Sequence, residues 1–288
     1  MMQIAFENNP KKFLSKHGGY LHQYEAEHNL ILSLCQAAEQ KIARGENCDI
    51  RFATLSNDEG IILATAQTPP HNLVLSRATQ QDVQPLAEML AKQHTHFPGI
   101  VGPSDIAASF AETWGSLTGQ KSVEYMDQII YSLTKVLMPP PIQGLMRAAK
   151  PGEAPLIAGW IRSFAADALP KSEQLSEADA LKKAEDVIKA GRMAVWDIGG
   201  RPVAQAAVSG TENVARISMV YTPPEERGHG YAKAVVAHLS QQQLDAGKTM
   251  CCLYADARNP VSNSIYRKIG YEFVGRSSLY VLDKQAAK

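Results

Sequence analysis

The residues best suited to chemistry lie together in Arg227-Gly228-His229-Gly230-Tyr231-Ala232, between an apolar, β-branched run at 216–220 and a helical pattern. The first N–H groups of a helix have no internal partners and sit at the positive end of its dipole. A strand, a glycine turn and a helix start therefore make a cradle for an anion. Glycines let the backbone face that anion closely, and Arg227 adds a permanent cation capable of bidentate contact. The chemistry predicted is the holding of a phosphate. A Gly-x-Gly turn alone is common and weak; the arginine beside it, directly between strand and helix, is what raises its specificity. His229 occupies a loop position without required chemistry, and its side chain is expected to be a solvent-facing spacer.

A second stretch carries a phenol, Asn259-Pro260-Val261-Ser262-Asn263-Ser264-Ile265-Tyr266. A polar turn here enters a short helix, and Gly270 stops it. A phenol can give a proton to a departing group; by itself, Tyr266 reads equally as a packed aromatic beside Ile265 and Ile269. Carboxylates that could serve as a base are scattered. Glu212 and Asp256, with Tyr254, fall near strand ends, and none sits in a signature. Glu212 reads as an exposed loop carboxylate and Asp256 as a turn cap. His238 reads as half-exposed on its helix. Cys251 and Cys252 read as small core residues, and no Cys/His cluster has metal-ligand spacing, so no metal is expected.

The elements that must position these groups follow from pattern. Thr222-Pro223-Pro224 ends the strand, and the next helix shows Ala232, Val235, Val236 and Leu239 on one face, closing near Gly247. Residues 249–254 read as a buried strand, and a last strand is expected at 271–274. Upstream, 193–197 and 202–208 form a hairpin pattern about Gly199-Gly200, preceded by helical stretches at 156–168 and 178–189 and a polar loop at 170–177.

From about residue 216 to 274 the sequence resembles the GNAT superfamily of acyl-CoA-dependent N-acetyltransferases. Arg227-Gly-His-Gly-Tyr-Ala232 matches the pyrophosphate loop Q/R-x-x-G-x-G/A, and Asn259…Ser262…Tyr266…Gly270-Tyr271 matches the downstream N-x-x-A-x-x-x-Y-x-x-x-G-F pattern. Ser262 and Tyr271 depart conservatively from Ala and Phe. With the upstream helices and hairpin, the resemblance covers roughly 145–288. It implies transfer of an acetyl group from acetyl-CoA, the acyl-donor substrate, to a primary amine. Backbone groups of Met219, Val220, Tyr221 and Thr222 would then pair with the pantetheine amide and polarise the thioester. Arg227 and the loop Gly228, His229, Gly230, Tyr231 and Ala232 would receive the pyrophosphate. Asn259 would lie near the cofactor arm, and Tyr266 would be the general acid.

The full chain of 288 residues holds a second, fainter copy of this design. A helical region at 20–43, a hairpin at 51–55 and 61–67 around Asn57-Asp58-Glu59-Gly60, and a short strand at 73–75 repeat the order seen later. A competing register would begin a unit at Leu75-Ser-Arg-Ala-Thr, which resembles Leu145-Met-Arg-Ala-Ala, but the hairpin match spans more residues. Where the first copy should carry its glycine loop it reads Leu75-Ser-Arg-Ala-Thr-Gln-Gln-Asp82, with helix-capping residues and no glycine. Phe97-Pro-Gly-Ile-Val-Gly-Pro-Ser-Asp105 then reads as strand, turn and N-cap before a helix at 106–117. Thr68-Pro-Pro-His71-Asn72 reads as a rigid surface turn. The triple proline at 139–141 suggests a division into 1–143, a degenerate GNAT-like domain without the loop, and 144–288, the catalytic domain. The expected class is α+β or α/β: tandem GNAT-like folds, each a mixed, mostly antiparallel sheet flanked by helices with splayed central parallel strands.

Composition narrows the partners. Lys+Arg and Asp+Glu both number 29, for a formal charge of zero, and no basic run exceeds a pair, which argues against nucleic acid or an anionic membrane. With 45% hydrophobic and 20% charged residues the chain can bury a core. Four cysteines without a framework, a start lacking a signal-peptide core and no run near the ~20 apolar residues of a membrane span predict a cytoplasmic protein. Nothing in the sequence indicates a homo-oligomer. The expected partner is a small-molecule amine. A non-catalytic acyl-CoA-binding regulatory module is the alternative from another class, and acylation of a thiol or hydroxyl would differ only in the acceptor.

Overall fold

Asn9 opens the first helix by accepting from the Lys12 N–H at 3.0 Å, with Pro10 in the first turn, where its missing N–H costs nothing. From this start the computed structural model, which describes residues 2–168 and 174–283, runs through the same order of elements twice. The first run is β1 (Gln3–Glu7), α1 (Pro10–His22), α2 (Glu25–Ala43), β2 (Arg51–Asn57), β3 (Gly60–Gln67), β4 (Leu73–Leu75), α3 (Val83–Lys92), β5 (Gly99–Pro103), α4 (Ser104–Thr118) and β6 (Ser122–Leu133). The second is β7 (Leu145–Ala148), α5 (Ala154–Ala168), α6 (Glu177–Lys189), β8 (Met193–Ile198), β9 (Arg201–Gly210), β10 (Val214–Tyr221), α7 (Tyr231–Asp245), β11 (Met250–Asp256), α8 (Pro260–Ile269) and β12 (Glu272–Leu282). The repeat therefore follows the hairpin alignment.

The described residues form two units, one ending at Ile130 but completed by the strand from Val274 onward, the other Tyr131–Phe273. In the first unit the strand order is β1-β2-β3-β4-β5-β12-β6. β4 and β5 run parallel, pairing Leu73 with Ile100 and Val74 with Val101, whereas β1–β2, β2–β3, β3–β4 and β5–β12 are antiparallel. One face packs Phe13, Leu21, Ile31 and Leu32 of α1 and α2; the other packs Leu86, Leu90, Phe110 and Trp114 of α3 and α4. Each such side chain contributes about 1.5–3 kcal/mol on burial. In the second unit the order is β11-β10-β9-β8-β7, with β10 and β11 parallel and the rest antiparallel. Ile157 and Ile161 of α5 and Ala180 and Ala184 of α6 pack with Met193, Val195 and Ala207 of the sheet.

Three expectations need correction. A division at 143/144 does not match the compact units: Trp196 Nε1 donates to the Gln143 carbonyl at 2.9 Å and Leu137 N donates to the Ile269 carbonyl at 2.6 Å, which holds the proline run within the second unit. The last strand is eleven residues rather than four, and pairs antiparallel with β5, Leu279 opposite Val101. Helix 20–43 is broken at Tyr24, whose ψ of 51° leaves the helical region. The loop expected at 170–177 lies partly outside the described residues; within them, the Ser176 hydroxyl caps α6 by accepting from Asp179 N at 3.2 Å.

Candidate active site

The site begins where two strands part. β10 and β11 pair only at Val214–Met250, Ala215–Cys251 and Arg216–Cys252, although β10 continues to Tyr221 and β11 to Asp256. Beyond Arg216 and Cys252 the two strands no longer pair with each other and an opening lies between them, the splay expected of this fold. On its other edge β10 is bulged. Ser218 faces Ala207 and Tyr221 faces Gln205, so Met219 and Val220 stand against the single residue Ala206. Met219 takes a positive φ of 49°, uncommon for a residue with a side chain. Its carbonyl accepts from Gln205 Nε2 at 3.3 Å. The side chains of Met219 and Tyr221 pack on the α5–α6 core, with Tyr221 and Trp160 ring centroids 6.3 Å apart. Their packing fixes the strand while its backbone lines the opening.

Beyond Thr222, residues 224–226 make one 3-10 turn, and Glu226 pairs with Arg201 of β9. Gly228 and Gly230 then adopt φ of 87° and 85°. Nothing lies within 4 Å of a Cβ built on Gly228, so backbone conformation rather than crowding calls for glycine there. Gly230 is the N-cap of α7 and no side chain caps the helix, whereas Asn9, Ser176 and Asn259 cap α1, α6 and α8. The α7 start thus presents Tyr231, Ala232 and their neighbours without a side-chain acceptor of their own. The helix buries Ala234, Val235, Val236, Ala237, Leu239 and Ser240; Ala232, expected on that face, is only half-buried and lies in the open first turn.

Around the loop, Arg227 is half-exposed; its Nε donates to the Thr222 carbonyl at 3.1 Å and its Nη2 lies 3.9 Å from Asp167. His229 stacks on Tyr231 at 5.3 Å, as an exposed spacer would. Two buried polar atoms near the strand end, Gln205 Oε1 and Thr222 Oγ1, have no hydrogen-bond partner among the described residues. An unsatisfied buried polar atom costs about 1–3 kcal/mol, so these are places where a ligand bearing amides and hydroxyls gains. Thr222 was expected at the site through its backbone; Gln205 was not visible as a site residue in the sequence.

α8 lies at the end of β11. Asn259 accepts from Ser262 N at 3.1 Å, which commits its side-chain oxygen to the helix N-terminus. Asn263, buried, donates to the Asp256 and Asn259 carbonyls at 2.8 and 2.7 Å and accepts from the Tyr131 hydroxyl at 3.0 Å. Tyr266 is 8% exposed, its ring 6.2 Å from Tyr131 and 6.1 Å from Tyr271. Burial, and then the neighbouring Tyr131, push its phenol up to about 12, so it keeps its proton at neutral pH. Tyr271 donates to or accepts from Ser240 at 2.8 Å and belongs to the core. Tyr131 escaped sequence reasoning altogether, since it precedes the proline run.

The remaining candidates disperse. Burial raises the Asp256 carboxyl, but hydrogen bonds from the Arg258 side chain and N–H outweigh it and hold the group below its ordinary value, as suits a turn cap. Glu212 is exposed, and its carbonyl accepts from Lys248. His238 is exposed rather than half-exposed, 5.3 Å from the Trp196 ring. Cys251 and Cys252 are buried, and burial pushes the Cys251 thiol up to about 12, so it is inert at neutral pH. Among the described residues no group of three His, Cys, Asp or Glu could hold a metal ion, and no helix is long and apolar enough to cross a membrane.

Comparison with known proteins agrees with this geometry. Residues 199–281 match the family model described as FR47-like protein. No curated protein matches the sequence. A Drosophila protein is similar over 98% of this chain and 99% of its own, at 12% identity and a TM-score of 0.68. An acetyltransferase of the GNAT family from Colwellia psychrerythraea matches over 98% and 100%, at 12% identity and a TM-score of 0.56. A tandem GNAT protein from the clavulanic acid biosynthesis pathway matches over all of both chains, at 10% identity and a TM-score of 0.56. The chain has the tandem GNAT fold, and its C-terminal region carries the FR47-like segment.

Proposed function

We propose that the protein is an acetyl-CoA-dependent N-acetyltransferase with one active site, in the second unit, acting on the primary amine of a small molecule. The observation that carries this reading is the juxtaposition of a bulged, unpaired strand end with a glycine-started helix that no side chain caps. Acetyl-CoA supplies an acyl group activated as a thioester. The loop amides from Gly228 to Ala232, with Arg227, receive its pyrophosphate. Backbone groups of Met219, Val220, Tyr221 and Thr222 hold the pantetheine arm and point donors at the oxygen where charge grows, usually the main source of acceleration in acyl transfer. The opening also aligns amine and acyl carbon, which removes much of the entropic cost of their encounter. Asn259, by holding the α8 start, sets the wall along the cofactor arm. Tyr266 keeps its proton until a thiolate leaves and then supplies it, while the proton lost by the attacking amine passes to solvent. The first unit, without a glycine loop, serves structure.

The substitution Tyr266→Phe tests this. Turnover should fall about 100-fold, within the range general acids contribute, while acetyl-CoA affinity by calorimetry stays within about twofold. Undetectable turnover of a broad amine panel by the wild type, with acetyl-CoA binding intact, would instead make the protein an acyl-CoA-binding regulatory module.

A further inference from the structure

At the point where β10 and β11 separate, the second unit holds a cation that has no ion pair among the described residues. Arg216 is the last paired residue of β10, opposite Cys252, and across the antiparallel edge it faces Ser209 of β9. Directly opposed residues project side by side on one face of a sheet. Ala207, two residues from Ser209 and so on the same face, packs in the core made with α5 and α6. Arg216 and Ser209 therefore project toward the α5–α6 side. Arg216 Nε and Ser209 Oγ are both buried there without a hydrogen-bond partner. Lys183 of α6 immediately precedes Ala184, which packs in that same core, and the surrounding protein and, second, the Arg216 charge hold its ammonium below the ordinary value. Among the described residues neither cation has an ion pair, although Arg77, Arg147, Arg201 and Arg276 all have carboxylate partners. A partly buried guanidinium without an ion pair, with an idle hydroxyl on the same face, is costly in an empty protein and complementary to an oxyanion.

We infer that Arg216, Ser209 and Lys183 form an anion subsite that selects an amine acceptor bearing a carboxylate or a phosphate. This rests on the acetyltransferase reading above and names the acceptor class for that site. Arg216 lies three residues before Met219, about 10 Å along an extended strand. That spacing suits a molecule whose amine reaches the thioester while its anionic end rests on Arg216. Arg216 supplies the planar fork and Lys183 a mobile ammonium.

The test uses the full-length protein with acetyl-CoA and matched acceptors: small α- and ω-amino acids, the corresponding carboxamides, and aminoalkyl phosphates. The expected result is a kcat/KM at least about 30-fold higher for the anionic member of a pair, carried mainly by KM. The carboxylate and phosphate arms decide which oxyanion is preferred. Arg216→Met should collapse that ratio toward one, Arg216→Lys should restore part of it, and Lys183→Met should lower it several-fold. Lys182→Met, one residue away, should leave the ratio at its wild-type value. Equal rates for charged and uncharged acceptors, or an unchanged ratio in both Arg216→Met and Lys183→Met, would overturn the subsite. Should no amine be turned over, the activity reading fails separately. Calorimetry of the same acceptors with the CoA-loaded protein then decides the subsite: a preference for the anionic members that Arg216→Met abolishes supports it, and no preference overturns it.

Discussion

After β4 and after β10 the chain makes the same move, from a strand into a turn that starts a helix, and fills the two turns in opposite ways. After β10 the turn is Gly228-His229-Gly230, with left-handed glycines, an uncapped helix and orphaned polar atoms nearby. After β4 several groups of the turn have internal partners. The Arg77 N–H donates to His28 Nε2 at 3.0 Å, and its guanidinium forks onto Glu27 at 3.0 and 2.8 Å, above the Tyr24 ring. The Tyr20 hydroxyl donates to the Arg77 carbonyl, Ser76 Oγ accepts from Ala64 N at 2.9 Å, and the Asp82 carboxylate accepts from Thr79 N at 3.0 Å. Side-chain acceptors stand in the first turn where, in the second, an external anion would. A repeated fold can thus keep its frame while protein oxygens and an imidazole take the donors in one of its turns.

That contrast can be broken most directly at Gly230. Because its φ of 85° is strained for any residue with a branched Cβ, Gly230→Val should distort the loop and lower acetyl-CoA affinity by about 100-fold or more, measured by calorimetry. Affinity within threefold of wild type would show that the loop does not hold the cofactor.

The sealed turn has its own signature in pH. His28 donates through Nδ1 to the Leu21 carbonyl and accepts at Nε2, so it must be neutral in the native state. Burial, opposed by the Leu21 bond and assisted by Arg77, lowers its pKa from 6.5 to about 4. Unfolded chains bind a proton at His28 across that interval and folded ones do not. Stability from this residue is therefore fully present above about pH 6.5 and is lost as pH falls toward 4, by about 3 kcal/mol. Urea unfolding at pH 7 and pH 4.5 should show this dependence in the wild type and a flatter one in His28→Gln.

A smaller effect is expected from the ion pair. The Glu27 side chain is 8% exposed, so Glu27→Ala should destabilise the protein by about 1–2 kcal/mol in urea while leaving acetyl-CoA affinity at its wild-type value. A parallel loss of affinity would mean the first turn is not sealed in the way its contacts indicate. Least affected should be Arg227→Met: with the guanidinium half-exposed and its Nε held by the Thr222 carbonyl, acetyl-CoA affinity should fall only about three- to tenfold and the loss should shrink in high salt.

Much of the fold was legible. Both hairpins follow from alternation and glycine turns, and the observed β2–β3 and β8–β9 extend the expected strands by only one to two residues at their ends. The stop at Gly270 is local chemistry and occurs where the residue type puts it. The break at Tyr24 was hidden because the helical pattern runs across it, and the length of β12 because its partner β5 is more than 160 residues away in sequence.

The sequence by itself therefore determined the repeat, the strand-to-helix turns and the glycine loop, since each depends on backbone dihedrals and spacing within a dozen residues. Tertiary structure decided which groups were left over. Only pairing across distant segments shows that Tyr131 supports Asn263, that Arg77 is taken by Glu27, and that Arg216 and Ser209 share a face with no partner among the described residues. Whether a polar group is satisfied is a property of what packs around it, and the neighbours that decide it come from anywhere in the chain.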